Sequence, residues 1–125
     1  MKAAKTPKKT SDDLGNDVLW KSAEKTQLLE ALLSCKNKQE IATFLRDILT
    51  KQEIDEFSRR LEAASMLDDD LPYTAIIKKT GLSSTTVARI SKWLRGPIGG
   101  YRLVLGRMTK HHHATHPSPL RKGLS

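Results

Sequence analysis

Residues 73–94 read YTAIIKKTGLSSTTVARISKWL and predict two short helices joined by a tight turn. Apolar residues recur at helical spacing on either side of that turn. They are Ile76, Ile77, Leu82, Val87, Ile90 and Leu94. Gly81 suits the turn because a residue without a Cβ tolerates a positive φ. Ser83 can cap the second helix by accepting a hydrogen bond from a free N–H group of its first turn. The pattern is that of a helix-turn-helix.

The outer face of the second helix carries polar side chains that suit nucleic acid. Short hydroxyls and the fork-shaped donor of an arginine are able to contact base edges in a major groove. Longer basic side chains suit phosphates instead. We therefore predict base contacts from Ser84, Thr85 and Thr86, with Ser83 as the cap, and phosphate contacts from Lys78, Lys79, Arg89 and Lys92.

One position departs from the usual helix-turn-helix pattern. A small residue normally stands four positions before the turn glycine, where the two helices cross closely, whereas this chain has Ile77. Ile77 predicts either a wider crossing or a shifted first helix. Two short helices joined at a glycine also occur in proteins that never touch nucleic acid, so the motif alone does not establish DNA binding.

Charge is distributed unevenly along the 125 residues, whose formal net charge is +8. All 14 acidic residues lie at or before Asp70, and residues 71–125 hold ten Lys or Arg and no acidic residue. A positive field of this kind attracts a phosphate backbone and makes binding depend on salt. The alternative is a solvated basic surface that only keeps the protein soluble. Because the basic half contains the predicted helix-turn-helix, we favour double-stranded DNA as the partner.

Composition disfavours several other classes of protein. No apolar run is long enough to span a membrane, and the basic start leads into a polar stretch rather than a signal peptide. The single Cys35 cannot form an internal disulfide, so we expect a cytoplasmic location. No nucleophile–base pair and no glycine-rich phosphate loop is present, so we expect neither an enzyme nor a cofactor. We expect no metal site, because the clustered histidines have no Cys or carboxylate nearby in sequence. These histidines are His111, His112, His113 and His116.

The chain predicts one all-α domain, residues 17–108, between two disordered segments. Residues 1–16 form a basic N-terminal arm, and residues 109–125 form a His-rich basic tail. The predicted elements of the domain are amphipathic helices at 17–34, 38–49 and 51–67, the helix-turn-helix, and a short apolar element at 96–108. Asn37 is the predicted N-cap of the second helix, and Thr50 forms a capping box with Glu53 at the third.

The apolar faces of the three amphipathic helices are broader than one stripe. A small monomer has too few layers to bury them. We therefore expect a homodimer in which helices of the two chains pack together, since twofold dimers are the commonest assembly. Its two helix-turn-helix units should lie about 34 Å apart to enter successive major grooves.

Residues from about Leu28 to Met108 resemble the Trp repressor superfamily, and in particular its TrpR-related YerC/YecD branch. The resemblance rests on LTKQEIDEFSRRLEAASML at 49–67, the helix-turn-helix, KWLRG at 92–96 and GGYRLVL at 99–105. It implies a Trp-repressor-like helical bundle that forms an intertwined homodimer, binds a palindromic operator and represses transcription.

The resemblance also implies where a tryptophan corepressor would bind. Two arginines that hold its indole ring correspond to Arg60 and Arg89, and a threonine that opens the third helix corresponds to Thr50. Each residue has an ordinary alternative role. Thr50 can act as an N-cap, Arg60 can pair with a nearby carboxylate and Arg89 can bind a phosphate.

Two positions of that ligand pocket depart from Trp repressor. Ile90 stands where Trp repressor has a glycine that leaves room for the indole, and Trp93 replaces a serine that holds the ammonium end of the ligand. Overpacking a site of this kind typically costs about 1–3 kcal/mol. We expect Trp93, alone or with Ile90, to fill the cavity, so that no small-molecule corepressor is needed. The alternative is that Trp93 is an ordinary core residue, and either version predicts no response to tryptophan.

These observations favour a dimeric, sequence-specific DNA-binding regulator of the repressor type. The rival is a protein-interaction module, in which the helix-turn-helix docks another protein and the basic half faces an acidic partner. Only nucleic-acid binding would give the steep salt dependence of counterion release.

Overall fold

The computed structural model describes residues 18–115, with side chains described through residue 109. Every regular element in that range is helical, as the sequence predicts. The helices are α1 (Ala23–Ser34), α2 (Lys38–Ile48), α3 (Lys51–Asp68), α4 (Tyr73–Thr80), α5 (Ser84–Arg95) and α6 (Gly100–Thr115). The chain divides into two compact units, the first ending at Arg60 and the second beginning at Leu61. The predicted N-terminal arm, residues 1–16, lies outside the described residues.

The first predicted helix is interrupted. Residues 18 and 19 are helical, but residues 20–22 form a turn, and α1 begins at Ala23. Ser22 caps α1 by accepting a hydrogen bond from the Lys25 N–H at 3.3 Å. The Thr26 hydroxyl donates to the Trp20 carbonyl at 2.9 Å and stabilises the turn. The prediction of one continuous helix over 17–34 is therefore wrong at this point, because a serine that serves as a cap competes with the helical backbone.

The next two helices begin where the sequence predicts. The Asn37 side chain accepts a hydrogen bond from the Glu40 N–H at 2.9 Å, which caps α2. At the start of α3 the Thr50 N–H donates to the Glu53 carboxylate at 2.9 Å, and the Glu53 N–H donates to the Thr50 hydroxyl at 3.0 Å. These reciprocal bonds confirm the capping box.

The first unit leaves many of its large apolar side chains exposed. None of residues 18–60 is buried, although α2 is strongly amphipathic. Exposure is greatest at Leu33, whose side chain is 84% exposed. The exposed large apolar residues of this unit are Val18, Leu19, Leu28, Leu29, Leu33, Ile41, Ile48 and Phe57.

The second unit has a core of its own, to which the C-terminal part of α3 and each of α4, α5 and α6 contribute. The buried side chains are Ala63, Ala64, Leu67, Ile76, Val87, Ile90, Leu94 and Leu105. Ile77 is half-buried and packs against this core. Burying these apolar side chains removes them from water and is the main source of stability for the unit.

Helix α6 is longer than the sequence predicts. It runs to Thr115, whereas the predicted disordered tail begins at Thr109. The first proline after Pro97 is Pro117, and a proline is the residue that most strongly prevents a helix from continuing. Residues 116–125 of the predicted tail lie outside the described residues. Between residues 18 and 115, no helix combines the length and apolar character needed to cross a membrane.

Candidate nucleic-acid interface

The turn between α4 and α5 is fixed by backbone and side-chain hydrogen bonds. Gly81 has a φ of 77°, the left-handed conformation predicted for it, and its N–H donates to the Ile77 carbonyl at 2.8 Å. Among the described residues, Thr80 is the one polar residue that is buried. Its hydroxyl donates to the Ile76 carbonyl at 2.7 Å and accepts a hydrogen bond from the Leu82 N–H at 3.2 Å. The turn therefore has a defined geometry, which orients α5 on α4.

Thr80 was missed at the level of sequence. Its signal was its position, directly before the turn glycine and two residues before the apolar Leu82. A threonine there can satisfy a carbonyl of the helix it ends and an N–H group of the turn that follows, as hydroxyl residues commonly do in turns. Its part is to hold the turn rather than to contact a ligand.

The first turn of α5 offers two hydroxyl groups to solvent. Ser83 caps the helix as predicted, because its hydroxyl oxygen accepts a hydrogen bond from the Thr86 N–H at 3.1 Å. The same hydroxyl donates to the Thr86 hydroxyl at 3.0 Å, and Thr86 is half-buried. Ser84 and Thr85 are exposed. Of the three residues predicted to contact bases, Ser84 and Thr85 are thus exposed to solvent, whereas Thr86 is hydrogen-bonded to the cap residue Ser83.

One side of α5 faces the core and the other faces solvent. Val87, Ile90 and Leu94 are buried, as their spacing predicts. The exposed residues are Ser84, Thr85, Ala88, Arg89, Lys92 and Arg95, and we call the first five of them the reading face. Thr85, Arg89 and Lys92 follow one another at spacings of four and three, so they align along the helix. Ala88 was missed at the level of sequence because a lone alanine on a helix carries no polar signal.

The last turn of α4 adds two lysines to the exposed basic residues near the reading face. Lys78 and Lys79 are both exposed. The Lys79 ammonium lies 3.4 Å from the Glu62 carboxylate. An exposed ion pair of this kind contributes little to stability because water screens it. Lys79 is therefore able to exchange this carboxylate for a phosphate.

Two of the residues that correspond to the tryptophan pocket, Thr50 and Arg60, make local contacts. Thr50 is in the capping box, and the Arg60 guanidinium lies 2.7 Å from the Glu56 carboxylate. The Arg60 guanidinium carbon also lies 5.5 Å from the centre of the Phe57 ring. Ile90 is 4% exposed and belongs to the core of the second unit, whereas Trp93 is half-buried.

No group of three or more His, Cys, Asp or Glu side chains that could hold a metal ion occurs among the described residues. The histidine side chains of the tail lie outside the described side chains. What the described surface offers is a helix with exposed hydroxyls at its start and exposed cations along its length. Together with the two helices joined by the tight turn at Gly81, it places the chain in the class of helix-turn-helix proteins.

Comparison with known proteins narrows this class to one family. The family model described as Trp repressor protein matches residues 23–109. The uncharacterized protein YerC of Bacillus subtilis is 34% identical over 85 residues, which cover 68% of this chain and 82% of that relative. The crystal structure of a TrpR-like protein from Eubacterium eligens matches with a TM-score of 0.69 and 35% identity, over 74% of this chain and 96% of the other.

The chain belongs to the Trp repressor family. Its fold is the TrpR-like fold, as the resemblance implies, and its similarity to YerC agrees with the branch named from the sequence motifs. Membership of this family points to a DNA-binding regulator.

Proposed function

We propose that the protein is a dimeric, sequence-specific DNA-binding regulator of transcription that acts as a repressor. The observation that carries the proposal is the reading face of α5, which lies in the half of the chain without acidic side chains. A helix entering the major groove needs short polar groups at its start to reach base edges and cations beside them to reach phosphates. The reading face supplies both.

The side chains divide into two roles by their length and exposure. Ser84 and Thr85 lie exposed in the first turn of α5 and contact base edges. The Ala88 methyl group, one turn later on the same face, suits contact with a thymine methyl group. Arg89 and Lys92 on α5, with Lys78 and Lys79 on α4, bind phosphates. Ser83 and Thr86 keep the start of α5 in place.

The dimer is supported by the exposed apolar side chains of the first unit. Eight large apolar residues between Val18 and Phe57 are 36% exposed or more in the single chain. A second copy of the chain is the partner we propose for them, since a patch of this kind on a regulator marks a protein–protein contact. Twofold symmetry would then present two reading faces to successive major grooves, about 34 Å apart.

The regulator is proposed to act without tryptophan. Ile90 is a buried core residue, and Trp93 is a half-buried indole in the last turn of α5. Both are larger than the glycine and serine that the resemblance places there, and a preformed space for a free amino acid is what they would remove. Calorimetry with L-tryptophan should show no saturable heat of binding. A clear binding isotherm would contradict this part of the proposal.

The function is tested by fluorescence anisotropy with labelled duplex DNA selected from a random library, at about 50 and 200 mM salt. Four cations in each of two copies predict a slope of log K against log salt of about −7. A scrambled duplex should bind more weakly with a similar slope. Absence of duplex binding at low salt would reject DNA binding and favour the protein-interaction module.

Single substitutions separate the two roles. Arg89→Ala should weaken binding to the selected and scrambled duplexes alike and flatten the salt slope by about 1 per copy. Ser84→Ala and Thr85→Ala should instead change which sequences are selected, by about 0.5–1.5 kcal/mol per lost hydrogen bond to a base. Lys38→Ala, an exposed position at the start of α2, is the control for loss of one charge. Unchanged binding in all three test variants would reject the assignment of the reading face.

A further inference from the structure

The C-terminal end of α5 is closed by a side chain from α6. The last carbonyl groups of a helix have no partner within the helix. Here Arg102 supplies one, since its Nη1 donates to the Leu94 carbonyl at 2.6 Å and to the Gly96 carbonyl at 2.8 Å. A guanidinium is also electrostatically favourable at this position, because the C-terminal end of a helix carries a partial negative charge.

Gly99 leaves the space that this guanidinium occupies. A Cβ at position 99 would lie 2.8 Å from Arg102 Nη2 and 3.5 Å from its Cζ. Gly99 also has a φ of +75°, which side-chain-bearing residues rarely adopt. Gly99 therefore serves the contact of Arg102 with α5 in two ways: it adopts the positive φ of the loop, and it leaves room for the guanidinium.

Helix α6 contacts α5 at a second point as well. Leu105, three residues after Arg102, is 6% exposed and belongs to the core that also contains Leu94 of α5. One contact is apolar and buried, and the other is a pair of charge-assisted hydrogen bonds at the helix end. Tyr101, in the first turn of α6, also packs against this core, so Arg102 adds a polar contact at the helix end to the apolar contacts of α6.

We propose that Arg102 is a positioning residue that holds the C-terminal end of α5 and thereby sets the orientation of the reading face. The inference rests on the proposed function, because the reading face has a purpose only if it contacts DNA. Base contacts demand accurate placement of the helix, whereas phosphate contacts tolerate displacement. Arg102 is an exposed cation of the basic half, and its Nη1 donates to two backbone carbonyls at the end of α5.

The first test does not require DNA. Hydrogen exchange is measured at the amides of Gly96, which donates to the Trp93 carbonyl at 3.2 Å, and Leu103, which donates to the Gly99 carbonyl at 2.9 Å. Arg102→Met should speed exchange of both about tenfold, since it removes two charge-assisted bonds. Arg102→Lys keeps the charge and should give an intermediate rate. Arg107→Met, an exposed cation on the same helix, is the control and should exchange as the wild type does.

The second test separates positioning from phosphate binding. Arg102→Met should lower affinity for the selected duplex about tenfold, leave affinity for the scrambled duplex unchanged and keep the salt slope. Arg102→Lys should recover part of the selective affinity. Equal losses on both duplexes, with a slope flatter by about 1 per copy, would instead identify a phosphate contact and overturn the inference.

A double substitution tests whether Gly99 and Arg102 act together. Gly99→Ala should displace the guanidinium and reproduce the exchange pattern of Arg102→Met. In the double variant, the increase in exchange rate should be smaller than the two single increases combined, because both changes remove the same contact. Wild-type exchange rates in Arg102→Met would overturn the inference, whatever the DNA result. If the wild type binds no duplex DNA, the proposed function fails, and the exchange rates still decide whether Arg102 holds α5. Circular dichroism identifies any variant that fails to fold, for which Arg102→Lys provides the milder replacement.

Discussion

The two units of the chain differ in how many apolar side chains they bury, although both have exposed ones, such as Leu103 in the second unit. The second unit buries eight of them around α4, α5 and α6, including Ile76 and Val87 at 0% exposure. The first unit buries none between residues 18 and 60, and Leu33 is 84% exposed. The difference teaches that the reading face is supported from within its own chain, whereas the first unit has apolar surface that suits a second copy.

The sharpest way to break this comparison is to place a charge in the first unit. Ile48 is 49% exposed in the single chain and lies at the end of the amphipathic α2. Ile48→Asp should destabilise the proposed dimer by about 3–6 kcal/mol, because each copy would replace an apolar side chain at the interface with a carboxylate. Sedimentation equilibrium should show the wild type at twice 14.0 kDa and the variant shifted towards one chain.

Gln39→Asp is the matched control for that experiment. Gln39 is an exposed polar residue of the same helix, so the control adds the same charge without removing an apolar side chain. It should remain dimeric at concentrations where Ile48→Asp dissociates. A wild type that sediments as a single chain would contradict the dimer and remove the partner proposed for the first unit.

A core substitution in the second unit should have an effect of a different kind. Ile76→Ala removes a side chain with 0% exposure and should lower the free energy of unfolding by about 2–5 kcal/mol. Denaturant titrations at low and high protein concentration should give the same loss, because this core lies within one chain. Ile41→Ala in the first unit should lose stability mainly at low concentration. A loss below about 1 kcal/mol for Ile76→Ala would show that the second unit is not supported by this core.

Two glycines allow a smaller and cleaner comparison within the second unit. Gly81 and Gly99 share nearly the same φ, +77° and +75°, but a Cβ at Gly81 would meet nothing within 4 Å. Gly81→Ala should therefore cost about 1–2 kcal/mol from backbone strain alone. Gly99→Ala should cost about 1 kcal/mol more, since it also displaces the Arg102 guanidinium. Equal losses in thermal unfolding would show that this displacement costs nothing.

The smallest effect concerns the ion pair between Lys79 and Glu62. Glu62→Gln removes the carboxylate that competes with phosphate for Lys79, so affinity for duplex DNA should rise about two- to threefold at low salt. The matched control is Asp55→Asn, which removes the partner of Lys51, 3.0 Å away in the first unit. The control should leave affinity unchanged, and an anisotropy titration measures both. Equal affinities for Glu62→Gln and the wild type would show that Lys79 does not reach a phosphate.

Much of the fold could be predicted from local sequence signals. Asn37, Thr50 and Ser83 each cap a helix by accepting a hydrogen bond from the N–H three residues later. Such a cap can be predicted from a few neighbouring residues. The buried face of α5 followed in the same way from helical spacing. The turn at residues 20–22 was not predicted, because the Ser22 cap competes there with a continuous helix. The full length of α6 was not predicted either, because its histidines were interpreted as part of a disordered tail.

The candidate site was less accessible to sequence reasoning. The contact of Arg102 with the Leu94 carbonyl joins two residues that are eight positions apart and lie on different helices. No periodic pattern in the sequence predicts such a contact. The hydrogen bond from the Ser83 hydroxyl to the Thr86 hydroxyl was likewise not predicted, because both residues carry the hydroxyl expected of a base contact. That Trp93, alone or with Ile90, fills the ligand pocket stays a prediction.

The engagement of Thr86 by Ser83 limits how much information one copy of α5 can extract from DNA. Two exposed hydroxyls, those of Ser84 and Thr85, remain to address bases, and a hydroxyl accepts or donates with little preference among them. Each half-site would then tolerate variation, and a pair of half-sites would be recognised mainly by the distance between them. Inserting one or two base pairs at the centre of a target should therefore be more damaging than changing any one base.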